Sequence, residues 1–463
     1  MNNWKMSSLR IATIFSLLMV ALGGCGSKDG KKTPKGNDPV IDLSSFHQVC
    51  EKPDRPGRTP APKLEDYNPK LLSSSELKEF LAVKTGAKQI KVASYNFYNH
   101  FDYLHDIESV KGKKEHKRDY TWLPIDNWKL EMCDLFNRPG SFYHRQCRTT
   151  DYSEEKFELK SRQLSHAIDL LGDKPDVLAV QEIENTIAAN SFKGVSGYDD
   201  YVMTTSPDKR GIDVAIFFET EKLKLIDSEE YVVQEKDLFT TKPTRNLLRA
   251  NFKVLNSSNP NAILSVIAVH WPSLGNSNDK REAAAKRVQE IVGLEKQKHG
   301  ANVSFVALGD FNTKPDPKID RNPVREYLMC KNWDHRMVDA QDAFEALKLP
   351  ERNAMPRATQ WYFIQNVWER LDRILVSENM ASENGDFQLV PESFRINSAE
   401  DVMTELEIVK APNGRWSFRE DNPDLKGEVK KVYVPYDSNF NALTADEAGY
   451  SDHMAIQVLL NVK

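Results

Sequence analysis

The chain has 463 residues, a formal net charge of −5 and an isoelectric point near 6.1. Its length suits one large domain or two ordinary ones. The acidic balance excludes a globally basic nucleic-acid coat protein, although a local basic groove remains compatible with it. A mean hydropathy of −0.57 excludes a protein built mainly from membrane-spanning segments.

The N-terminal segment has the organisation of an export signal. Lys5 and Arg10 precede an apolar stretch, Ile11 to Leu22, which is too short to cross a bilayer and is followed by small residues. The letters LGGC resemble a bacterial lipobox, so residues 1–24 are predicted to be a signal peptide and Cys25 to be lipidated. We therefore expect an exported protein anchored to a bacterial membrane, at the cell surface or on the periplasmic face.

Export would place the other four cysteines in an oxidising compartment, where disulfides form. Four cysteines allow three pairings. Cys133 with Cys147 would close a short loop and is the preferred pair, which leaves Cys50 with Cys330. Free buried thiols are the alternative. No CxxC pair or His/Cys cluster in the sequence indicates structural zinc.

Residues 25–86, which follow the signal peptide, are rich in Lys, Pro, Ser and Asp without a sustained period, which predicts a tether and a partly ordered lead-in. Strand-like and helical patterns then alternate over 87–463, as is typical of sheets covered by helices. The predicted strands are Gln89–Asn96, Asp176–Asn185, Asp213–Phe218, Ala262–His270, Val303–Leu308, Arg373–Ser377 and Met454–Val462, with helices over 154–171 and 279–298.

Two polar stretches, near 100–152 and 378–449, interrupt this alternation and are predicted to be insertions. The first combines basic residues such as Lys113, Lys117 and Arg118 with several aromatic residues. Basic residues interleaved with aromatics can hold a polyanion and stack on its bases. Charged runs are also commonly solvated faces, so both interpretations stay open.

Polar residues mark the boundaries of the predicted strands. One such residue is expected in an ordinary turn. A whole set rich in Asp, Glu, Asn and His instead indicates a shared hydrated site along one edge of the sheets. A carboxylate at the end of a buried strand also needs a partner such as a metal or a proton donor. The set comprises Asn96, Glu182, His270, Asp310, Asn312, Asp372, Asp452 and His453.

Seven stretches, in this order, resemble the motifs of the endonuclease/exonuclease/phosphatase superfamily. They are VASYNFYN, VLAVQEIEN, GIDVAIFF, VIAVHWPS, ALGDFNTKPD, ERLDRILVS and YSDHMAIQV, and they span about Gln89 to Val462. The resemblance is strongest to exported bacterial nuclease-like members. It implies an α/β fold of the deoxyribonuclease I type, a four-layer sandwich of two packed β-sheets flanked by helices. It also implies divalent-metal phosphoester hydrolysis.

The resemblance assigns Glu182 as the principal metal ligand, with Asn96 and Asp452 beside it. The residue types suit Mg²⁺, which prefers oxygen ligands and is usually held by one or two carboxylates together with water. Mn²⁺ and Ca²⁺ are alternatives.

The resemblance also implies roles in the chemistry. Asp310 matches the residue that orients or deprotonates the attacking water, and Asn312 one that contacts the phosphate. Asp372 with His453 matches a pair in which the carboxylate fixes the imidazole tautomer and favours its charged form. His270 matches a second histidine, a candidate acid for the leaving oxygen. Which histidine is the acid stays open.

Two arginines are candidate phosphate contacts, because the guanidinium fork suits phosphate geometry. Arg245 lies where deoxyribonuclease I-like members place such a residue, and Arg210 precedes the strand at 213–218. One departure is visible: abasic-site endonucleases carry an Asp where this chain has Tyr98, which argues against abasic-site activity.

The expected function is therefore that of a monomeric, lipid-anchored phosphodiesterase, foremost a nuclease acting on DNA. The same site could serve sphingomyelin or a phosphoinositide. A different class of protein, a non-catalytic surface lipoprotein that binds a partner through its insertions, is the other alternative.

Overall fold

A computed structural model describes residue 47 and residues 71–463, except for 111–112, 236, 240–241, 315–321, 332, 383–384 and 421. Of residues 108–110 and 113–116 only the backbone is described. The predicted signal peptide, Cys25 and Cys50 lie outside the described residues. Within the described part, none of the helices combines the length and the apolarity that crossing a membrane requires.

Two six-stranded β-sheets form the centre of the fold, and strands and helices are numbered here in chain order. The first sheet contains, from edge to edge, Phe387–Ile396 (β15), Ile456–Val462 (β19), Gln89–His100 (β1), Val177–Ile183 (β4), Asp213–Phe218 (β6) and Asp200–Met203 (β5). The second sheet contains Met337–Asp339 (β11), Asp372–Ser377 (β14), Val303–Asp310 (β10), Ile263–His270 (β9), Leu247–Val254 (β8) and Leu223–Tyr231 (β7).

The sheets pack face to face, and alternate residues of a strand enter different cores. In β9, Val266 and Ala268 join the core shared with the first sheet, whereas Ile267 and Val269 join a second core on the outer face. This alternation follows from the two-residue period of a strand. A strand buried on both faces reads as a continuous apolar run, which is why the sequence pattern identified β9 and β10.

Helices cover both outer faces, so the predicted four-layer sandwich is confirmed. α4 and α5 pack on the first sheet and α6 on the second. The Asn185 side chain caps α5 by accepting from two backbone amides, and Gly197 ends that helix in the left-handed conformation. The helices are Ser74–Leu81 (α1), Asn127–Phe136 (α2), Phe142–Thr149 (α3), Glu154–Asp169 (α4), Thr186–Ser196 (α5), Asn278–His299 (α6), Ala340–Ala346 (α7), Glu378–Ala381 (α8) and Ala445–Ala448 (α9).

The first predicted insertion is a small unit with its own covalent link. It contains the hairpin Ile107–Val110 (β2) and Lys113–His116 (β3), followed by α2 and α3. A disulfide joins Cys133 to Cys147, with a Cα–Cα distance of 5.7 Å. The buried ammonium group of Lys129 donates to the backbone carbonyls of Thr121, Leu123 and Thr150. We refer to residues 120–149 as the disulfide-linked insertion.

The second predicted insertion begins later than expected, because β15 is an edge strand of the first sheet. The inserted part is a separate three-stranded sheet, which lies beside a two-stranded hairpin. The hairpin consists of Gln360–Tyr362 (β12) and Val367–Glu369 (β13), and the sheet of Met403–Lys410 (β16), Trp416–Phe418 (β17) and Val429–Pro435 (β18).

Candidate active site

The polar residues at the predicted strand boundaries meet at one edge of the two sheets. In the second sheet, Asp310 of β10 lies beside His270 of β9 and beside Asp372 of β14. In the first sheet, Asn96 of β1 lies beside the end of β4, which carries Glu182. A cleft of about 900 Å³ opens at this edge. From the predicted set it is lined by Glu182, Arg210, His270, Asp310, Asn312, Asp452 and His453.

Asn96 connects the two sheets directly. Its Nδ2 is 3.4 Å from Oδ2 of Asp310, and its Oδ1 accepts from the backbone amide of Tyr98 at 3.0 Å. β1 does not end at Asn96 as predicted. It continues to His100 after a shift of register against β4. The residue expected at a strand end therefore lies inside a strand, immediately before an irregularity.

Asp310 is held by the turn that follows it. The backbone amide of Asn312 donates to Oδ1 of Asp310, and the Asn312 side-chain amide donates to Oδ2, each at 2.8 Å. Burial, followed by repulsion from the Asp372 carboxylate, raises the pKa of Asp310 to about 7. A carboxylate that titrates in this range can accept a proton near neutral pH.

His453 and Asp372 form a buried pair. His453 Nδ1 lies 2.6 Å from Oδ2 of Asp372, and the same oxygen accepts from the hydroxyl of Thr359 at 2.5 Å. Burial alone would lower the pKa of His453, but the carboxylates of Asp372 and Asp452 outweigh it and raise that pKa well above its usual value. The pair therefore places an imidazolium at the cleft.

His270 differs from His453 in its electrostatic surroundings. Its Nε2 lies 3.5 Å from Oδ2 of Asp310 and 3.7 Å from Oε1 of Glu182. Burial, followed by the positive charges of Arg245 and Arg210, holds the pKa of His270 well below its usual value. The surroundings therefore favour the neutral form of His270 and the charged form of His453.

Glu182 adopts an unusual backbone conformation, with φ of 60°. Its Oε2 accepts from the backbone amide of Asn99 at 3.0 Å, and its side chain is 18% exposed. Tyr98, Asn99 and Asn312 also have positive φ and line the same cleft. Strained backbone of this kind concentrates at functional sites, where the surrounding structure enforces it.

The acidic residues of the cleft fit a divalent cation with few protein ligands. Oδ2 of Asp452 accepts from Gln360 at 3.0 Å, while its buried Oδ1 has no hydrogen-bond partner among the described residues. Burial, opposed by the charge of His453 and reinforced by that of Glu182, raises the pKa of Asp452 to about 6. A cation would relieve this repulsion. No group of three or more His, Cys, Asp or Glu side chains in the described part is placed as a ready-made metal site. Carboxylate and amide oxygens in such small number suit a hard divalent cation that keeps several waters.

The two predicted arginines share one carboxylate. Arg210 Nη2 lies 2.8 Å from Oδ2 of Asp208, and Arg245 Nη1 lies 3.6 Å from the same atom. Arg210 reaches the active-site cleft, whereas Arg245 is buried, donates to the carbonyl of Trp271 at 2.6 Å and lines a neighbouring cleft. The structure thus brings only Arg210 into the cleft that contains the carboxylates.

Sequence reasoning missed several residues that support the site. Lys160 of α4 is buried, donates to the carbonyl of Tyr98 at 2.6 Å and to Ser438 at 2.9 Å, and has a pKa lowered to about 7 by burial. Thr359 and Gln360 hold Asp372 and Asp452. None of them stands at the boundary of a predicted strand, so the pattern that identified the others did not apply to them.

The disulfide-linked insertion forms one wall of the cleft. Phe136, Phe142 and Tyr143 line it with 49%, 62% and 69% of their surface exposed. The Arg118 guanidinium lies 5.3 Å from the centre of the Phe136 ring, and Tyr120 stacks on that ring at 5.7 Å. This wall combines exposed aromatic faces with a cation next to the carboxylates.

One family model matches the chain, and the members of that family are hydrolytic phosphoesterases. The profile described as "Endonuclease/Exonuclease/phosphatase family" matches residues 141–417, more than half of the chain. No curated protein matches the sequence.

Among solved structures, an endonuclease/exonuclease/phosphatase family protein from Bacteroides thetaiotaomicron is 14% identical, with a TM-score of 0.44 over 80% of this chain and 97% of that one. A mannosyl-6-phosphatase from the same organism gives 14% identity and 0.43 over 80% and 99%. The human Nocturnin catalytic domain with bound sulfate gives 14% and 0.40 over 66% and 87%.

Proposed function

Because the chain belongs to the endonuclease/exonuclease/phosphatase family, we propose that it is a divalent-metal-dependent phosphodiester hydrolase acting on nucleic acid, foremost DNA. The observation that carries the proposal is the convergence of His270, Asp310 and the Asp372–His453 pair on one cleft with Glu182. A base, two histidines of different charge and an acidic cation site are the parts that phosphoester hydrolysis needs.

Each residue has a role that follows from its contacts. Asp310 accepts the proton of the attacking water, and its two hydrogen bonds from Asn312 fix the direction of its lone pairs. His453 presents positive charge to the phosphate, since Asp372 holds its Nδ1 and leaves Nε2 toward the cleft. Nε2 of His270 lies close to the carboxylates of Asp310 and Glu182 and helps to hold these two side chains in position.

Glu182, Asn96 and Asp452 would hold the cation. When bound, a divalent ion would neutralise charge on the phosphate and the leaving oxygen. Oδ1 of Asp452, which makes no hydrogen bond to the described residues and lies 3.9 Å from Nε2 of His453, and the partly exposed carboxylate of Glu182 supply oxygens for it.

Nucleic acid is favoured as substrate by the wall of the cleft. Exposed rings of Phe136, Phe142 and Tyr143 can stack on bases, and Arg118 can contact the backbone. From the predicted basic stretch, Lys117 is turned inward and pairs with Asp106 at 3.8 Å, so it does not contribute. The side chains of Lys113 and Lys114 lie outside the described part.

A lipid phosphodiester is the second candidate, on one specific observation. Leu135, which precedes Phe136 in α2, is 68% exposed, so the disulfide-linked insertion exposes this apolar side chain in addition to Phe136, Phe142 and Tyr143. Apolar and aromatic side chains of this kind can insert into a bilayer interface. Sphingomyelin would then reach the cleft from a membrane.

The protein is proposed to be exported and attached to a bacterial membrane through lipidated Cys25. Support comes from the sequence alone, since Cys25 lies outside the described residues. Cys25→Ser should release the protein from the membrane fraction while DNA hydrolysis persists. A variant that stays in the membrane fraction would contradict the anchor.

The test of the function is a substrate panel with the purified full-length protein and Mg²⁺, Mn²⁺ or Ca²⁺. Single-stranded DNA, duplex DNA, RNA, sphingomyelin and inositol phosphates are compared, with Asp310→Asn as the inactive reference. We expect DNA hydrolysis that is lost in Asp310→Asn and falls with added salt, because phosphate contacts release counterions. Hydrolysis of sphingomyelin without DNA hydrolysis would replace the nuclease by the lipid phosphodiesterase.

A further inference from the structure

A basic cleft adjoins the active site. It has a volume of about 430 Å³ and shares Arg118, Arg210 and Ser273 with the active-site cleft. Among the described residues of its lining, Asp208 is the one carboxylate. Six cations line it: Arg118, Lys209, Arg210, Lys242, Arg245 and Lys280.

The charges in this basic cleft do not cancel. Asp208 already serves both Arg210 and Arg245. Within the described part of the chain, no carboxylate forms an ion pair with Lys242 or Lys280. The Lys280 ammonium lies 3.5 Å from the carbonyl of Lys242 and 5.0 Å from the Phe239 ring centre. A net positive field therefore remains, which attracts an anion.

Two buried polar atoms in the lining lack partners. The hydroxyl of Thr244, whose residue is 6% exposed, and Nε of Arg245, whose residue is 4% exposed, make no hydrogen bond to the described residues. Buried polar groups are nearly always paired. Both are donors, so an acceptor-rich group such as phosphate would satisfy them.

A different flank of the active site, at the β12 hairpin, carries the opposite charge. Alternate residues of the β12 hairpin face two sides: Gln360 and Tyr362 line the active-site cleft, whereas Trp361 lines another cleft of about 680 Å³. That cleft touches Asp452, and the one cation among the described residues of its lining is Arg419. Its other carboxylates are Glu405, Glu407, Glu420 and Asp437. A polyanion that leaves the active site on this flank would be repelled.

We propose that the basic cleft is a second phosphate-binding subsite, which takes the phosphate next to the scissile one. The inference rests on the proposed hydrolase activity and narrows its substrate to molecules with at least two phosphates. The substrate strand then extends from the catalytic residues past Arg118 and Arg210 toward Lys242 and Lys280. A backbone phosphate of nucleic acid is the source that the aromatic wall favours.

The experiment compares two small substrates with the purified full-length protein and its metal. Both are p-nitrophenyl esters of thymidine 5′-phosphate, one with a free 3′-hydroxyl and one with a 3′-phosphate. In the wild type the added phosphate should lower KM by about tenfold, the size of one charge-assisted contact. In Lys242→Gln/Lys280→Gln this advantage should shrink below about threefold, with hydrolysis of the 3′-hydroxyl ester unchanged.

The matched control is Lys298→Gln, which removes one positive charge from the same helix. Lys298 lies eighteen positions after Lys280 in α6, about 27 Å away at the helical rise, and should keep the full advantage. Equal KM values for the two esters in the wild type, or equal losses in Lys298→Gln and the double variant, would overturn the subsite.

Two further outcomes separate the subsite from the proposed function. Failure to hydrolyse the 3′-hydroxyl ester would reject the phosphodiesterase itself, whereas its hydrolysis without a phosphate advantage would reject only the subsite. Inositol mono- and bisphosphates form a second arm. An advantage seen only for the bisphosphate, and lost in Lys242→Gln/Lys280→Gln, would support the subsite and identify an inositol phosphate as its source.

Discussion

His453 and Asp372 lie 81 positions apart in the chain, yet Nδ1 of the histidine is 2.6 Å from Oδ2 of the aspartate. Asp372 begins β14 of the second sheet, and His453 precedes β19 of the first. The pair therefore joins the two sheets at the active-site edge. The distance between the two side chains therefore depends on how the two sheets pack against each other. A change in that packing would change the charge and orientation of His453.

Asp372→Asn should lower kcat by about 10²–10⁴-fold, because the amide cannot hold His453 as a charged imidazolium in one tautomer. The change is nearly isosteric, so the thermal unfolding midpoint should show that the fold persists. The matched control is Thr359→Val, which removes the other donor to the same oxygen. Its loss should be tenfold or less, on the order of one hydrogen bond. Equal losses in both variants would argue against the pair.

Glu182→Gln should cut activity by roughly 10²-fold or more and weaken Mg²⁺ binding, since the main anionic ligand is lost. Calorimetric titration of Mg²⁺ measures the binding directly. Glu184→Gln is the control, because Glu184 lies two positions after Glu182 but accepts from the backbone amide of Asp102 and is not among the proposed cation ligands. Full wild-type activity in EDTA would refute metal dependence.

Asn312→Gly should shift the acidic limb of the kcat/KM profile to higher pH. Glycine keeps the positive φ of 47° and the backbone donor, but loses the side-chain donor to Asp310. Asp310 must be ionised to act, so activity rises as pH passes its pKa. A hydrogen bond to a charged group contributes roughly 1.5–3 kcal/mol, and about 1.4 kcal/mol is one pKa unit. The limb should move up by about one unit. A downward shift would contradict the role of Asp310 as the base.

Cys133→Ala/Cys147→Ala should loosen the disulfide-linked insertion by about 3 kcal/mol, the value for a loop of this length. Trypsin should then cleave faster within it, for example after Arg145. KM for DNA should rise because the aromatic wall is displaced. Hydrolysis of bis(p-nitrophenyl) phosphate should stay constant, because the catalytic residues lie on the sheets. Loss of both activities would show that the insertion supports the whole domain.

The sequence predicted best where burial leaves little choice. β6 lies at its predicted residues, and β10 is two residues longer than predicted, because it includes Gly309 and Asp310. The search for polar residues at the boundaries of predicted strands identified Glu182, His270 and Asp372, because a polar residue stands out next to a run of apolar residues. These residues gather in space since strand ends of packed sheets lie along one edge.

The remaining elements were missed for physical reasons. The sequence pattern did not predict β7 and β8, because these two strands carry charged residues such as Lys224, Glu229 and Arg249 at the edge of the sheet. Arg249 of β8, for example, forms an ion pair with Glu229 of β7. The polar stretch after Glu378 concealed β15, whose partner β19 lies far along the chain. Lys160 sits in an ordinary amphipathic helix, and only the fold brings it to the site. Long-range pairing of this kind leaves no local signal in a single sequence.

The position of β19 has a consequence for the biogenesis of the protein. This strand is the last in chain order, yet it lies between β15 and β1 inside the first sheet, and Asp452 and His453 precede it directly. During synthesis, no shorter nascent chain can complete either the sheet or the site. The proposed hydrolytic activity would therefore appear only after this strand has left the ribosome, and prematurely terminated products should not degrade the nucleic acid of the cell that makes them.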